Sequence, residues 1–439
     1  MRSRSDEKGR PGPLGARAGL IFECRLSRMS HSPLSSSPPS SIGPPVDAES
    51  CRSEKFLKTQ DRQESQESSG SGCWLLCSCQ GGAEAALRQR AAELLPAARP
   101  GVWRRGVVTF RLPDAAGPEA GPVQGKPAAG NWPELVFART TIQSLGQVSG
   151  VDDPARETAA IAAARQAYHN VHVWKRDPKA DLPVAAIRAG LLAACGLDPV
   201  AELAKPGDRV LDCVLDSADR WWIGWHDALE PASCWPGGLY PGAAAQLPAG
   251  KISRAWLKLD EAIALFGISF EPGQQAMELG AAPGGVCQRL LESGLEVVGV
   301  DPAVVDERVA ADAHFHQLRM RARDVPLRRC GRIDWLLSDM NIDPASTMAA
   351  LGRIATAPAV GLRGIVATLK LPDWSRAAEL SSWLEMFRLW GFEPRARQLS
   401  TGGREICVVA LRPEPPPPGT RRPQAGKVSR RPATRRPGR

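Results

Sequence analysis

The feature that most constrains the fold of this chain is the alternation of predicted strands and helices between residues 252 and 412. That order is typical of an α/β domain with a doubly wound, mostly parallel sheet. The predicted strands are 275–279, 296–301, 335–339, 364–370, 395–400 and 405–411, and the predicted helices are 253–266, 286–292, 346–355 and 374–390. Ser253 and Gly267 flank the first helix as its predicted caps. The last two strands, joined by Thr401-Gly-Gly403, predict an antiparallel hairpin at the edge of the sheet.

Two smaller α+β units are predicted upstream of this domain. The first, residues 72–145, contains predicted strands 73–79 and 106–112 and helix 83–95. The second, residues 146–236, contains predicted helices 156–168 and 182–190 and strands 170–174, 209–217 and 220–226. A stretch rich in Gly, Pro and Ala, residues 237–251, is the predicted linker to the main domain.

Both ends of the chain have the composition of disordered segments. Residues 1–70 are rich in Ser, Pro, Arg and Gln, and such a segment buries too little apolar surface to fold. The net charge is +9, and the stretch 419–439 carries +8 of it, from seven Arg and one Lys. We therefore interpret residues 413–439 as a basic arm that contacts RNA through counterion release. The alternative is a solubilising tail without a specific partner.

The cysteines and the apolar runs indicate the compartment. Eleven cysteines without a repeated CxxC pair are typical of free thiols in a reducing compartment. The densest group, Cys73, Cys77 and Cys79, fits a strand face better than a zinc site, so no metal is predicted. No apolar run approaches the ~18–20 residues of a membrane span. The sequence predicts a soluble, cytoplasmic protein.

A glycine-rich turn between a predicted strand and a predicted helix indicates a cofactor site. Gly280, Gly284 and Gly285 enclose Ala281, Ala282 and Pro283, and Asp301 ends the next strand, 21 residues after Gly280. A carboxylate there can hold both ribose hydroxyls of an adenosine. The turn lacks the GxGxxG pattern, which weakens a nicotinamide interpretation. It also lacks Gly-Lys-Ser/Thr, which excludes a P-loop.

Four polar residues lie where further predicted elements begin or end. Asp339 and Lys370 each close an apolar strand, Glu405 opens one, and Lys258 lies on the helix that follows the linker. Alone, Lys258 is more simply a surface lysine and Glu405 an edge charge, whereas a lysine that ends a buried strand, like Lys370, is costly unless it is used. Together they converge on one cleft, because ligands of doubly wound sheets bind beyond the carboxyl ends of the strands. Such a set can remove a proton from a poor nucleophile and hold it in line with a group donor.

The motifs Ser253-Arg-Ala-Trp-Leu-Lys258, Leu279-Gly-Ala-Ala-Pro-Gly-Gly285, Ser338-Asp-Met340 and Leu369-Lys-Leu-Pro372 resemble the FtsJ family of S-adenosylmethionine-dependent RNA ribose 2′-O-methyltransferases. The resemblance implies a Rossmann-like methyltransferase domain over residues 252–412 with S-adenosylmethionine as cofactor. It further implies a catalytic tetrad and a cofactor set. The tetrad is Lys258, Asp339, Lys370 and Glu405, and the cofactor set is the loop 280–285 with Asp301, Asp324 and Asp339. Glu278 stands where the family usually has Asp, and Val286 where Trp is usual.

Segments upstream of the linker are similar to those members of the family that methylate a cytidine of large-subunit ribosomal RNA. They are Val136-Phe-Ala-Arg139, the run 171–177 and Trp235-Pro-Gly-Gly238. This resemblance implies a ferredoxin-like unit over 72–145, a THUMP-like RNA-binding unit over 146–236, and 23S-type ribosomal RNA as the partner. Two alternatives stay open. One is an RNA-binding or ribosome-assembly protein with a non-catalytic methyltransferase fold, and the other is the same chemistry on transfer RNA.

Overall fold

The computed structural model of the protein describes residues 73–113, 133–149, 167–243, 247–327, 331–358 and 360–413. All of them belong to one compact unit. The predictions for residues 1–70, for the tail 419–439 and for nearly all of the helix 156–168 fall outside these ranges. None of the helices in the described ranges is long and apolar enough to cross a membrane.

The front half of the described chain forms a seven-stranded sheet in the order β2-β3-β1-β4-β7-β6-β5. Only the β5–β6 pair in this sheet is parallel, and the other five pairs are antiparallel. The elements are β1 (Trp74–Cys79), α1 (Glu84–Leu94), β2 (Arg99–Arg104), β3 (Val107–Arg111), β4 (Ala138–Ser149), β5 (Asn170–Lys175), α2 (Val184–Ala194), β6 (Arg209–Ser217) and β7 (Arg220–Asp227). Every strand predicted for this half is present.

Strand β4 connects the two predicted front units. It pairs with β1 on one side and with β7 on the other, so strands from both units belong to one sheet. The sequence prediction missed this strand and β2, which contains Pro100 and Gly101. The division into a ferredoxin-like and a THUMP-like unit stays a prediction. Cys77 and Cys79 are buried in β1, in the strand that their spacing predicts.

The second half forms a doubly wound sheet in the order β10-β9-β8-β11-β12-β14-β13. Its strands are parallel from β10 to β12, and β14 runs antiparallel to β12 and β13. The elements are α3 (Arg254–Phe266), β8 (Gln275–Leu279), α4 (Gly285–Leu291), β9 (Glu296–Val300), α5 (Glu307–Ala310), β10 (Phe315–Leu318), β11 (Trp335–Ser338), α6 (Pro344–Ala355), β12 (Gly364–Lys370), α7 (Leu380–Leu389), β13 (Glu393–Arg397) and β14 (Glu405–Leu411). The α/β prediction is confirmed.

Three local predictions for this half need correction. The side chain of Ser253 makes no capping hydrogen bond to α3, although Gly267 ends that helix in the left-handed conformation as predicted. The predicted helix 374–390 begins as a 3-10 helix over Trp374–Glu379, and only the part from Leu380 is α-helical. Within the predicted hairpin, β13 alone is an edge strand, because β14 lies between β12 and β13.

One apolar cluster packs the front sheet against the doubly wound sheet. It contains Leu75 and Phe110 from the front half together with Leu369 and Phe387 from the second half, all at most 1% exposed. Burying each such side chain contributes roughly 1.5–3 kcal/mol. The two sheets therefore share a core, and the ends of their strands are held in fixed positions around the site described next.

Candidate active site

The glycine-rich turn connects β8 to α4 and brings backbone close to two neighbours. Gly280 has φ +87°, and a Cβ there would lie 2.9 Å from the Cα of Met340. A Cβ on Gly285 would lie 2.2 Å from the Oγ of Ser253 and 3.0 Å from the backbone nitrogen of Trp256. Gly280 thus lets the turn pack closely against the backbone of Met340, and its role in the approach of a ligand stays a prediction. Gly285 serves mainly to let the start of α3 pack against the start of α4.

Asp301, at the end of β9, faces this turn. Its Oδ2 accepts a hydrogen bond from the backbone N–H of Ala282 at 3.1 Å, and its Oδ1 accepts one from Ala303 at 2.8 Å. Each carboxylate oxygen can accept a second hydrogen bond. The aspartate therefore supports the turn and still presents free acceptor positions to a ligand.

A cavity of about 690 Å³ opens in front of Gly280 and Asp301. Its volume lies within the roughly 300–1,000 Å³ of small-molecule sites. Met340 and Ile342 supply apolar contacts on its wall. The glycine turn, a carboxylate with free acceptor positions and an apolar wall together fit an adenosine-containing cofactor such as S-adenosylmethionine.

Of the remaining predicted cofactor residues, those of the turn lie near this cavity, and Asp324 does not line it. Ala281 and Pro283 lie inside the turn, and Gly284 precedes α4 with φ +119°. Asp324 ends a 3-10 helix, its side chain is 57% exposed, and it is not among the residues that line the cavity. Its neighbours Ala322 and Arg323 do line the cavity, so Asp324 lies next to the cavity wall and not on it.

The four predicted tetrad residues meet in one cluster beside the cavity. The Nζ of Lys370 lies 2.7 Å from Oδ1 of Asp339 and 2.5 Å from Oε2 of Glu405. The Nζ of Lys258 lies 3.2 Å from Oδ2 of Asp339 and 2.9 Å from Oε1 of Glu405. Each lysine therefore contacts both carboxylates. The sheet order brings together four residues on α3, β12, β14 and the end of β11, and the contacting pairs lie between 31 and 147 positions apart in the chain.

The charges of the cluster determine the protonation of its members. Burial disfavours the ammonium form of Lys370, but Asp339 and Glu405 outweigh this effect and raise its pKa above the ordinary 10.5. Burial likewise disfavours the charged form of Glu405, but Lys258 and Lys370 outweigh it and lower the pKa of this carboxyl. The cofactor-free protein thus holds two cations and two anions in a compensated arrangement.

A buried carboxylate that the sequence interpretation missed fixes the segment before Glu405. Glu261, 2% exposed on α3, accepts hydrogen bonds from the backbone N–H and hydroxyl of Ser400 at 2.8 and 2.9 Å. It also accepts two from Thr401, at 2.8 and 2.7 Å. Glu261 lies one helical turn after Lys258, so one face of α3 carries a tetrad lysine and the group that holds the β13–β14 loop. This spacing is the only signal in the sequence that could have revealed it.

The two departures from the family pattern lie under the glycine turn. Glu278 is 1% exposed, and the thiol of Cys287 donates a hydrogen bond to its Oε2 at 2.8 Å. Burial raises the pKa of both groups, and a local donor satisfies the longer glutamate. Val286 is 6% exposed and packs in the apolar cluster behind α3.

Comparisons with known proteins agree with this geometry. Residues 252–360 match the family model described as FtsJ-like methyltransferase. The ribosomal RNA large subunit methyltransferase M of Xanthomonas euvesicatoria is 30% identical over 301 residues, which cover 64% of this chain and 83% of the relative. The protein of the same name from Xanthomonas oryzae is 29% identical over 362 residues, covering 77% and 99%. The chain therefore belongs to the family of ribosomal RNA large subunit methyltransferase M and is an S-adenosylmethionine-dependent RNA methyltransferase.

Proposed function

We propose that the enzyme methylates the 2′-hydroxyl of a cytidine ribose in large-subunit ribosomal RNA of the 23S type. The observation that carries the proposal is the cluster in which Lys258 and Lys370 each contact Asp339 and Glu405. A ribose hydroxyl is a weak acid, so its methylation requires a base held close to the reacting oxygen. The names of the relatives, which specify large-subunit ribosomal RNA, support the choice of substrate.

When bound, S-adenosylmethionine supplies an electrophilic methyl group on a sulfonium sulfur. In the proposed mechanism, Lys370 Nζ takes the proton of the ribose hydroxyl while the ribose oxygen forms its bond to the methyl carbon. The bond between that carbon and sulfur would break, and the sulfur would leave as the neutral thioether of S-adenosylhomocysteine. Asp339 orients Lys370, and Glu405 and Lys258 orient the ribose. A positioned base contributes on the order of 10²–10⁴ in rate, and alignment of the two reactants can contribute as much.

Lys370 must be neutral to act as a base, although the two carboxylates raise its pKa. The positive charge of a sulfonium bound beside the tetrad would favour the neutral form of the amine. Cofactor binding is therefore proposed to lower the pKa of Lys370 and prepare it for the reaction.

The cofactor is proposed to contact the turn 280–285, Asp301 and Asp339, with Asp324 beside the adenine as a sequence-based expectation. The front sheet is proposed to bind RNA as a THUMP-like unit after a ferredoxin-like unit. The proposal assigns no role to a metal ion or a membrane, and it places the enzyme in the cytoplasm.

The product of the reaction tests this function. The purified chain would be incubated with tritiated S-adenosylmethionine and large-subunit ribosomal RNA that lacks modifications. The RNA would then be digested to nucleosides. We expect the label in 2′-O-methylcytidine, and none when Lys370 is replaced by Met. Lys251, which pairs with Glu292 away from the tetrad, gives the matched control Lys251→Met, which should retain activity.

Each other outcome identifies a specific error. Label in a methylated base would contradict the ribose chemistry. If only transfer RNA, offered in a parallel reaction, becomes labelled, the ribose chemistry is supported but the substrate is transfer RNA. No transfer to any RNA, with cofactor binding intact, would favour a non-catalytic RNA-binding protein.

A further inference from the structure

A second cavity, of about 570 Å³, lies between the front sheet and the loop that precedes Glu405. Its wall combines the ends of β1 and β5, the β2–β3 turn and the loop residues Ser400 and Gly402. The charged side chains on this wall are predominantly cations, with one carboxylate: Arg105, Arg139, Lys175, Arg176, Lys179 and Asp177. A concave wall of this composition concentrates positive potential.

Arg139 forms no ion pair within 4 Å in the described part of the chain, although the more distant Glu261 carboxylate stabilises its positive charge. Arg176, by contrast, pairs with Asp216, and Lys175 donates to the backbone carbonyl of Ala180 at 2.7 Å. The Nε of Arg139 is buried without a hydrogen-bond partner, and so is the indole Nε1 of Trp174, which also lines the cavity. Buried donors are nearly always satisfied in folded proteins, so two orphaned donors on one cavity wall indicate a missing acceptor.

The position of the cavity relates it to the methyl-transfer site. A Cβ added to Gly402, on the cavity wall, would lie 2.8 Å from Oε1 of Glu405. Across the sheet, the cofactor turn follows β8, the tetrad lies at β11, β12 and β14, and this cavity lies beyond β14. The cavity therefore borders the tetrad on the side opposite the cofactor turn, which is the side from which an acceptor ribose would approach.

We propose that this cavity binds a phosphodiester group of the RNA next to the target ribose, with Arg139 and Arg105 as its cationic ligands and Trp174 as an additional donor. The guanidinium group suits this role because its planar donors match phosphate oxygens in pairs. The inference rests on the proposed function and names the part of the substrate that this chain holds.

The test compares two variants and one control in the full-length chain. Arg139→Gln and Arg105→Gln each remove a cavity cation, whereas Arg388→Gln removes an exposed arginine that pairs with Glu385 on α7. The probe is a fluorescent single-stranded oligocytidylate, titrated at several salt concentrations. Each cavity variant should weaken binding several-fold and lower the slope of log affinity against log salt by ~0.7 per lost phosphate contact. The control should match the wild type.

Thermal melting of the free protein separates binding from folding. Because Arg139 has no ion pair in the described ranges, we expect Arg139→Gln to melt at or above the temperature of the wild type. If that variant unfolds, Arg105→Gln decides the question, because its side chain is exposed. S-adenosylmethionine affinity should be unchanged in both variants.

Two results would overturn the inference. The first is wild-type affinity and salt slope in both cavity variants. The second is that Arg139→Gln weakens the binding of cytidine 5′-monophosphate but leaves oligocytidylate binding unchanged. In that case the cavity would be a site for a free nucleotide. Neither result depends on methyl transfer. A chain that binds oligocytidylate through Arg139 but forms no 2′-O-methylcytidine would contradict the proposed function alone.

Discussion

Replacing Glu261 with Gln should uncouple the β13–β14 loop from α3 and reduce catalysis without touching the tetrad. The Glu261 carboxylate accepts four hydrogen bonds, two at each oxygen, from Ser400 and Thr401. A glutamine retains one oxygen and presents an NH₂ group in place of the other. Two of the four donors would then face another donor, and Glu405 would lose the support of the segment just before it.

The magnitude follows from those four contacts. Hydrogen bonds to a charged group contribute about 1.5–3 kcal/mol each, so two lost bonds give about 3–6 kcal/mol. Relief from burying a carboxylate offsets part of this cost, and the two hydroxyls can rotate toward other acceptors. We therefore expect a loss of about 2–3 kcal/mol in the free energy of unfolding, which is a large part of the ~5–15 kcal/mol of a typical domain.

Urea denaturation and single-turnover methyl transfer would be measured on Glu261→Gln and on the control Glu271→Gln. Glu271 is 65% exposed, and its ion pair with Arg363 is 3.4 Å long, so its loss should change stability by less than about 1 kcal/mol. In Glu261→Gln the transfer rate should fall while cofactor affinity stays near the wild-type value. Wild-type stability together with a wild-type rate would refute the argument that Glu261 holds the loop.

Three further predictions address the cofactor, the packing of the turn and the pH profile. Asp301→Ala should weaken S-adenosylmethionine binding roughly tenfold or more in calorimetry, because charge-assisted bonds to ribose hydroxyls are lost; unchanged affinity would mean that Asp301 does not hold the ribose. Gly285→Ala should lower the free energy of unfolding by about 1–3 kcal/mol through contact with Ser253, whereas the same change at Gly361, where nothing lies within 4 Å, should not. The transfer rate should rise with pH, because Lys370 acts when neutral and its pKa is raised. In Glu405→Gln, which removes one of the two carboxylates, the rise should shift to lower pH, and a shift to higher pH would contradict the assigned charges.

The sequence predicted the parts of the fold that depend on local order along the chain. Asp339 and Lys370 end strands in a domain whose strands and helices alternate, and parallel strands present their carboxyl ends at one edge of the sheet. The meeting of these residues with Lys258 and Glu405 therefore followed from chain order and the family resemblance together. The glycine turn and Asp301 were predictable for the same reason.

Features that depend on distant partners were not predictable. Glu261 contacts residues 139 and 140 positions away, and its position one helical turn after Lys258 does not by itself distinguish it from a solvated helix glutamate. Strand β4 was also missed. Its residues from Ala138 to Gln143 alternate between buried and half-buried, which is the period-2 pattern of a strand. The half-buried positions are polar, so the pattern is weak in the sequence. The sequence interpretation assigned Gly285 to the approach of a ligand. In the structure, the start of α3 packs against this residue and leaves no space for a side chain.

The most direct test of the account is the rate of a single methyl transfer in Lys370→Ala, measured at saturating RNA and cofactor. The Nζ of Lys370 lies within 2.7 Å of both carboxylates. The account predicts that transfer is abolished while S-adenosylmethionine affinity stays within a few-fold of the wild type. Transfer retained at more than a few per cent of the wild-type rate would remove Lys370 from the role of the base.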